Sequence, residues 1–270
     1  MAAATSIARW LFSEASSGTT PTTVADDTGN GNTLTIDYST GDAAWTSNAA
    51  GNGLDYTAAS PTAASAACYI SNIGTTGNIS TSLNGATEMS FIIQGDWATP
   101  STGNTACLAV ISIDENTLGS WHIVMDDARR PTVRWGDQTG TYRATIFSTA
   151  IGTGVRTLVC RIDTTQGTDT NRIKLSDNDS ALTVDYTDVS LNLALGLSGY
   201  TYGIWIGNRA NKDMNVDGPI YYAELFTGYL TDGQVTSATT ALASNNDANW
   251  AATATSGVPR RSFNPGLISF

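Results

Sequence analysis

Short runs of strand-forming residues recur along the whole chain and constrain its fold more than any other feature. Clusters of Gly, Asn, Asp, Ser and Thr separate these runs. About a dozen short runs bounded by turn residues predict a β-sandwich or barrel, and no linker divides them, so we expect one domain over residues 1–250. The runs cover residues 9–12, 32–36, 53–56, 68–70, 89–97, 107–113, 121–125, 131–135, 142–147, 155–163, 172–175, 202–207 and 219–226.

Composition supports an all-β fold and excludes two classes of partner. The chain has two Lys and four Glu, which are residues that normally fill long solvent-facing helices. Its net charge of −11 argues against nucleic acid, because binding to phosphates depends on Lys and Arg. No apolar run reaches the roughly 18 residues that a membrane span needs, so we expect no membrane insertion. The three cysteines lie among apolar neighbours and read as buried free thiols, not as a zinc site.

The end of the chain departs from the strand pattern. Thr231 is placed to cap one short helix, since Val235, Ala238 and Leu242 follow at near-helical spacing. Residues 251–270 read as an extended tail that is unusually apolar for a free end. We therefore expect residues 256–270 to pack against the domain or against protein neighbours in an assembly.

The order of several motifs resembles a known family. Trp10-Leu-Phe-Ser-Glu14 is followed by a loop running from Asp26 through Gly29 to Asn32, and later by Val155 to Asp163 and by Asp217 to Phe226. Together these segments resemble laminin-G-like domains of the concanavalin A-like lectin/glucanase superfamily. The resemblance implies a jelly-roll of two curved antiparallel sheets, and the strand pattern indicates a sandwich independently.

Aromatic and polar side chains suggest a site for glycans. Aromatic rings stack on sugar faces, and Asn, Asp, Arg and Thr side chains bond to hydroxyl groups. Trp121, Trp135 and Tyr142 lie on neighbouring runs that are typical of a meander, with Arg134 beside them. We predict that these four residues bind a glycan or cell-surface polysaccharide, although the same rings could instead fill the sandwich. Trp205 carries the same ambiguity.

Two turn-rich loops carry the oxygen ligands that Ca²⁺ prefers. The first contains Asp26 and Asn30, and the second contains Asp213, Asn215 and Asp217. The second loop also fits the EF-hand spacing through Glu224, but the flanking residues read as strands and would carry Glu224 away. Asp and Asn also cap their own turns without any metal, so calcium is one of two interpretations of these loops.

The sequence lacks the usual residues for cutting glycans. Glucanases of the resembled superfamily have the order Glu-x-Asp-x-x-Glu on one strand, and none of the four Glu has that spacing. His122 is the single histidine, and we expect it to be a partly exposed strand residue. A glycoside hydrolase or polysaccharide lyase of the same fold, or a secreted carbohydrate-binding module, is the alternative function.

We predict a non-catalytic glycan-recognition or adhesion module that forms a surface subunit, for decoration or associated with fibres, of a larger assembly such as a viral particle. The first residues have neither a basic nor an apolar region, so we expect no signal peptide. The expected location is therefore a virion or extracellular surface.

Overall fold

The computed structural model describes residues 4–13, 22–37, 43–48, 51–56, 67–70, 79–111, 120–136, 142–188, 203–209, 214 and 216–244. Seventeen strands and three helices lie within these residues. The strands are β1 (Thr5–Trp10), β2 (Thr23–Val24), β3 (Leu34–Asp37), β4 (Ala43–Asn48), β5 (Gly51–Tyr56), β6 (Ala67–Ile70), β7 (Glu88–Gly95), β8 (Thr105–Ile111), β9 (Trp121–Asp126), β10 (Pro131–Gly136), β11 (Tyr142–Phe147), β12 (Arg156–Asp163), β13 (Ile173–Asp177), β14 (Ser180–Ala181), β15 (Val184–Thr187), β16 (Ile204–Ile206) and β17 (Gly218–Thr227). The helices are α1 (Ile79–Leu83), α2 (Asp169–Arg172) and α3 (Asp232–Ala243).

The strands form two antiparallel sheets, as the strand pattern predicts. Sheet I has the order β14-β13-β12-β7-β17-β5-β4, and β1 pairs with the second half of β17. Sheet II has the order β15-β11-β10-β9-β8-β16-β6-β3-β2. The all-β jelly-roll sandwich is therefore confirmed.

The inner faces of the two sheets share one apolar core. Phe91 of sheet I meets Trp121 of sheet II edge to face, with ring centroids 5.4 Å apart. Such pairs stabilise a core beyond the area that they bury. Cys160 also lies in this core as a free thiol, and burial raises its pKa to about 12. Cys107 is likewise a buried thiol, whereas the side chain of Cys68 lies outside the described part of the chain.

Helix α3 covers the outer face of sheet I. Val235, Ala238 and Leu242 pack on a second apolar cluster that includes Tyr222 and Phe226 of β17. Thr231 caps the helix as predicted, because its hydroxyl accepts from the Gln234 amide while the Gln234 side chain accepts from the Thr231 amide. Within the described residues, no helix is long and apolar enough to cross a membrane. The predicted tail at residues 251–270 lies outside the described residues.

Candidate functional site

Two of the four predicted glycan-binding residues belong to the core. Trp121 and Trp135 face each other across the β9–β10 pair, and each is 1% exposed. Both rings contribute to the core between the sheets. The prediction that they stack on a sugar is wrong, because the surrounding core side chains cover their faces. The alternative, that they fill the sandwich, is the one that the structure supports.

Arg134 lies on the opposite face of the same strand. Val133 and Trp135 of β10 point into the core, and Arg134 alternates to the outer face of sheet II, where its side chain is half-buried. Tyr142 begins β11 opposite Gly136, and its side chain is outside the described set. The four residues therefore do not form one cluster.

A row of residues crosses the outer face of sheet II through Arg134. Strand registers pair Tyr69 with Trp205, Trp205 with Val110, Val110 with His122 and His122 with Arg134. The rings of Tyr69 and Trp205 are stacked, with centroids 6.3 Å apart and an interplanar angle of 12°. His122 is fully buried in this row, so the prediction of a partly exposed histidine is wrong.

The Tyr69–Trp205 pair stands on a small apolar cluster of the outer face. Cys107, Val110 and Val124 pack around Trp205, and the half-buried Met214 lies against them. Trp205 is 9% exposed, while Tyr69 is half-buried. Trp205 thus fixes the position of the Tyr69 ring, and Tyr69 presents the larger accessible surface.

Tyr186 carries a further ring on the same outer face. It lies on the edge strand β15 opposite Ile146, which in turn pairs with Thr132 of β10. Its side chain is 53% exposed, which makes it the exposed large hydrophobic side chain among the described residues. The Tyr186 hydroxyl donates to Asp188 over 2.8 Å, and this bond raises the pKa of Tyr186. We call Tyr69, Trp205, Arg134 and Tyr186 the outer aromatic face.

The outer aromatic face differs from the other outer surface of the sandwich. On sheet I, α3 buries the outer apolar residues. On sheet II, α2 contacts the edge strand β15, and the outer face leaves Tyr69 and Arg134 half-buried and Tyr186 exposed. Neighbouring strands lie about 4.8 Å apart, so six strand spacings separate Tyr69 and Tyr186 by roughly 29 Å along the sheet. The arrangement suits an extended ligand that touches both rings and the polar groups between them.

The first predicted calcium loop is held together by hydrogen bonds. One carboxylate oxygen of Asp26 accepts from the Arg9 amide and from the amide and hydroxyl of Thr28. The other accepts from the amide and the side chain of Asn32. Asn30 donates its side-chain amide to the Ile7 carbonyl. Five donors fill the acceptor positions of Asp26, so this carboxylate does not fit a metal ligand.

The second predicted calcium loop lies largely outside the described residues, which exclude Asp213 and Asn215. Asp217 is exposed, and burial together with the charges of Asp217 and Asp96 raises the pKa of Asp55. Within the described part of the chain, no group of three or more His, Cys, Asp or Glu side chains is placed to hold a metal ion. Glu224 is carried away from the loop on β17, as the strand pattern predicts, and it is 1% exposed there.

Glu224 instead belongs to a buried polar network of sheet I. It accepts hydrogen bonds from the hydroxyls of Ser6 and Tyr222 and lies 3.7 Å from the Arg9 guanidinium. Arg9 also donates to Asp27 over 2.6 Å. Although burial acts to lower the pKa of Arg9, the nearby Glu224, Tyr222 and Asp27 raise it overall. These contacts assign Glu224 a structural role.

Comparisons with known proteins give the fold. No protein-family model matches the sequence, and no curated protein does. Domain 4 of AbnA, an extracellular GH43 arabinanase from Geobacillus stearothermophilus solved with arabinotriose, is 15% identical with a TM-score of 0.56; the match covers 87% of this chain and 98% of that chain. Botulinum neurotoxin type C, whose cell entry depends on two ganglioside molecules, is 9% identical with a TM-score of 0.57, over 88% of this chain and 51% of that chain.

A third solved structure agrees with these two. The binding domain of Paraclostridial Mosquitocidal Protein 1 is 13% identical with a TM-score of 0.55, and the match covers 87% of this chain and 52% of that chain. At such identities the similarity shows a shared sandwich fold and leaves function to the chemistry of the site. The laminin-G-like resemblance is supported at the level of the shared jelly-roll sandwich fold.

Sequence reasoning identifies the residues of the outer aromatic face only in part. The strand pattern predicts Arg134 as a binding residue and leaves open the side on which Trp205 lies. Tyr186 is missed because its segment, Val184–Thr187, is short and alternates only briefly. The signal that could have found it is a tyrosine between two aspartates in a turn-rich stretch, since exposed aromatic residues in polar surroundings favour binding surfaces.

Proposed function

We propose that this protein is a non-catalytic carbohydrate-recognition module that binds an extended glycan on the outer aromatic face. The observation that carries this proposal is the placement of Tyr69, Arg134 and Tyr186 on one outer face. Tyrosine rings supply flat apolar surfaces for the C–H faces of sugars, and arginine supplies directed donors for hydroxyl oxygens. Thr132 of β10 adds a half-buried hydroxyl group on the same face.

The similar solved structures support this class of ligand. The arabinanase domain was solved with arabinotriose, and cell entry of the neurotoxin depends on gangliosides. Both proteins share the sandwich, which offers broad sheet faces for chains of sugars. The roughly 29 Å between the two terminal rings leads us to propose that the ligand is an oligosaccharide and not a single sugar.

The test is a panel of neutral and acidic oligosaccharides and their monosaccharides, screened with the whole chain. We expect at least one oligosaccharide to bind about tenfold more tightly than its monosaccharide, because only a chain reaches both rings. Tyr186→Ala and Tyr69→Ala should each weaken binding about fivefold or more, the loss expected for one aromatic contact. No reducing ends should be released.

A matched control removes a tyrosine from the other side of the sandwich. Tyr229 is half-buried beside sheet I, so Tyr229→Ala should leave the affinity for a neutral oligosaccharide unchanged. Loss of binding in Tyr229→Ala but not in Tyr186→Ala would contradict the proposed face. A panel without any binder would contradict the proposed function, and release of sugar products would contradict its non-catalytic character.

We also propose that the module is borne on a larger assembly, such as a viral particle or another extracellular surface. The support is the apolar composition of residues 256–270, which contain Val258, Phe263, Leu267, Ile268 and Phe270. Apolar side chains at a chain end gain stability by packing against a partner surface. Calcium remains a proposal for the loop of Asp213, Asn215 and Asp217.

A further inference from the structure

A cleft of about 460 Å³ opens at the β13–β14 edge of sheet I, where Thr170 of α2 and Val184 of β15 also line it. It lies beside the first turn of α3, where the positive end of the helix dipole is found. Its size falls in the range of small-molecule sites. The residues that carry its chemistry are Arg161 of β12, Lys174 and Ser176 of β13, Asp179 of the following turn, and Asp232 of α3.

Arg161 is a buried cation of this cleft with an unused donor. The residue is 5% exposed, and its Nη1 donates to Asp232 over 2.6 Å and to the Leu230 carbonyl over 3.1 Å. Its Nε is buried without a hydrogen-bond partner. The ring of Tyr229 packs 5.1 Å from the guanidinium carbon. A buried guanidinium N–H without an acceptor is costly, so the site favours a ligand oxygen here.

Two residues of β13 extend the same polar surface. Lys174 pairs in register with Arg161, and Ser176 follows two positions later on the same side of the strand. Ser176 is 3% exposed, and its hydroxyl is buried without a partner. Lys174 is exposed. The cleft therefore has a buried cation, Arg161, and an exposed one, Lys174, with the unpartnered hydroxyl of Ser176 on the same side of the sheet.

The two acidic residues of the cleft do not neutralise its interior. Both oxygens of Asp179 accept from the Thr236 hydroxyl at 2.9 Å, which ties Asp179 to α3. The Asp232 side chain is 89% exposed, so water screens its charge. The hydrogen bond and the charge of Arg161 lower the pKa of Asp232, which keeps this carboxylate ionised at the surface. The anion that pairs with Arg161 thus lies at the surface.

We propose that this cleft is a second binding site that takes the carboxylate of a small acidic sugar. The carboxylate accepts from the free Nε of Arg161 and from Lys174, and a ring hydroxyl bonds to Ser176. Arginine suits this role because its planar donors match the geometry of a carboxylate. Tyr69, Trp205, Arg134 and Tyr186 of the outer aromatic face do not line this cleft.

The test uses D-glucuronate and D-glucose as probes, titrated separately into the whole chain and followed by the amide signals of Arg161, Ser176 and Asp232. We expect glucuronate to shift these signals and to bind at least about tenfold more tightly than glucose, as the loss of one charge-assisted contact requires. Arg161→Gln should weaken glucuronate binding by a similar factor, and Lys174→Gln and Ser176→Ala should weaken it less. These two milder variants keep the test valid if Arg161→Gln folds poorly.

Two control variants distinguish binding in this cleft from binding elsewhere on the surface. Arg130 is an exposed arginine paired with Asp126 on another part of the surface, so Arg130→Gln should bind glucuronate like the unmodified chain. Tyr186→Ala should also bind it normally, even if oligosaccharide binding fails. Equal affinity for glucose and glucuronate, no binding of either, or retention of affinity in both Lys174→Gln and Ser176→Ala would overturn the proposal.

Discussion

Asp26 shows how one side chain can determine the geometry of a whole turn. Its carboxylate accepts five hydrogen bonds from Arg9, Thr28 and Asn32, and so connects β1 to the loop before β3. Asn32 is fully buried and donates its side chain to the Ile7 carbonyl as well. Hydrogen bonding within the protein therefore accounts for the motif that supports the family resemblance.

Asp26→Asn tests this hydrogen-bonding role. The new amide group would face the donors of Asn32, so we expect a loss of about 2–3 kcal/mol in the free energy of unfolding, measured by denaturant titration. Asp185→Asn is the control, because Asp185 is exposed on the edge strand β15 and the change should alter the free energy of unfolding by less than about 0.5 kcal/mol.

The same variant separates the two interpretations of the loop. If Asp26 bonds only to protein groups, the loss on Asp26→Asn is the same in excess Ca²⁺ and in excess chelator. A loss that appears only with Ca²⁺ would mean that Asp26 is a metal ligand. Stabilisation of the unmodified chain by Ca²⁺ that persists in Asp26→Asn would instead favour the loop of Asp213, Asn215 and Asp217.

The residues also show where sequence reasoning stops. Strand β9 reads Trp-His-Ile-Val-Met-Asp, and its first five residues are buried. Alternation of apolar and polar residues identifies the inner face only when the outer face is polar. Because Val124 and His122 are buried on the outer side, nothing in the sequence indicates on which side Trp121 lies. Sequence alone can therefore suggest that Trp121 and Trp135 stack on a sugar, but it cannot decide whether their rings face the solvent or the core.

The start and the buried face of helix α3 are predictable from sequence, and a single substitution tests its cap. Its capping box follows directly from Thr231 and Gln234, and its buried positions follow the 3.6-residue period. Thr231→Ala removes the cap, so we expect the free energy of unfolding to fall by about 1 kcal/mol. Thr240 is exposed within the helix, and Thr240→Ala should change it by less than about 0.5 kcal/mol. Equal effects of the two variants would contradict the capping role.

The strands that the sequence does not predict share a physical cause. β2 and β14 have two residues each, too few for any alternation to be visible. β4 reads Ala-Ala-Trp-Thr-Ser-Asn, in which polar residues of low β-propensity are held by pairing with β5. Long apolar strands such as β7 and β12 are predictable because a continuous apolar run of eight residues indicates a buried strand by itself.

At the scale of the whole molecule, we expect residues 256–270 to affect assembly and not the stability of the domain. Deleting residues 256–270 should leave the melting temperature within about 2 °C, because every core residue of the described part of the chain, and α3, lie before residue 245. If the tail holds neighbouring subunits, the same deletion converts an oligomer into monomers in light scattering. An unchanged mass would contradict the proposed assembly role.

The outer faces of the two sheets differ in what covers them and in the side chains that they expose. Sheet I has its outer face covered by α3 and its acidic-sugar cleft at the edge, while sheet II exposes aromatic and polar side chains. The net charge of −11 repels polyanions at long range. A carbohydrate with many hydroxyl groups remains a suitable ligand for the outer aromatic face.

The most direct test of recognition on the outer aromatic face is the mapping of amide shift changes on binding of the best oligosaccharide from the panel. We expect the largest changes on β6, β16, β10 and β15, around Tyr69, Trp205, Arg134 and Tyr186. Changes confined to the surroundings of α3, or spread evenly over both sheets, would contradict recognition on this face.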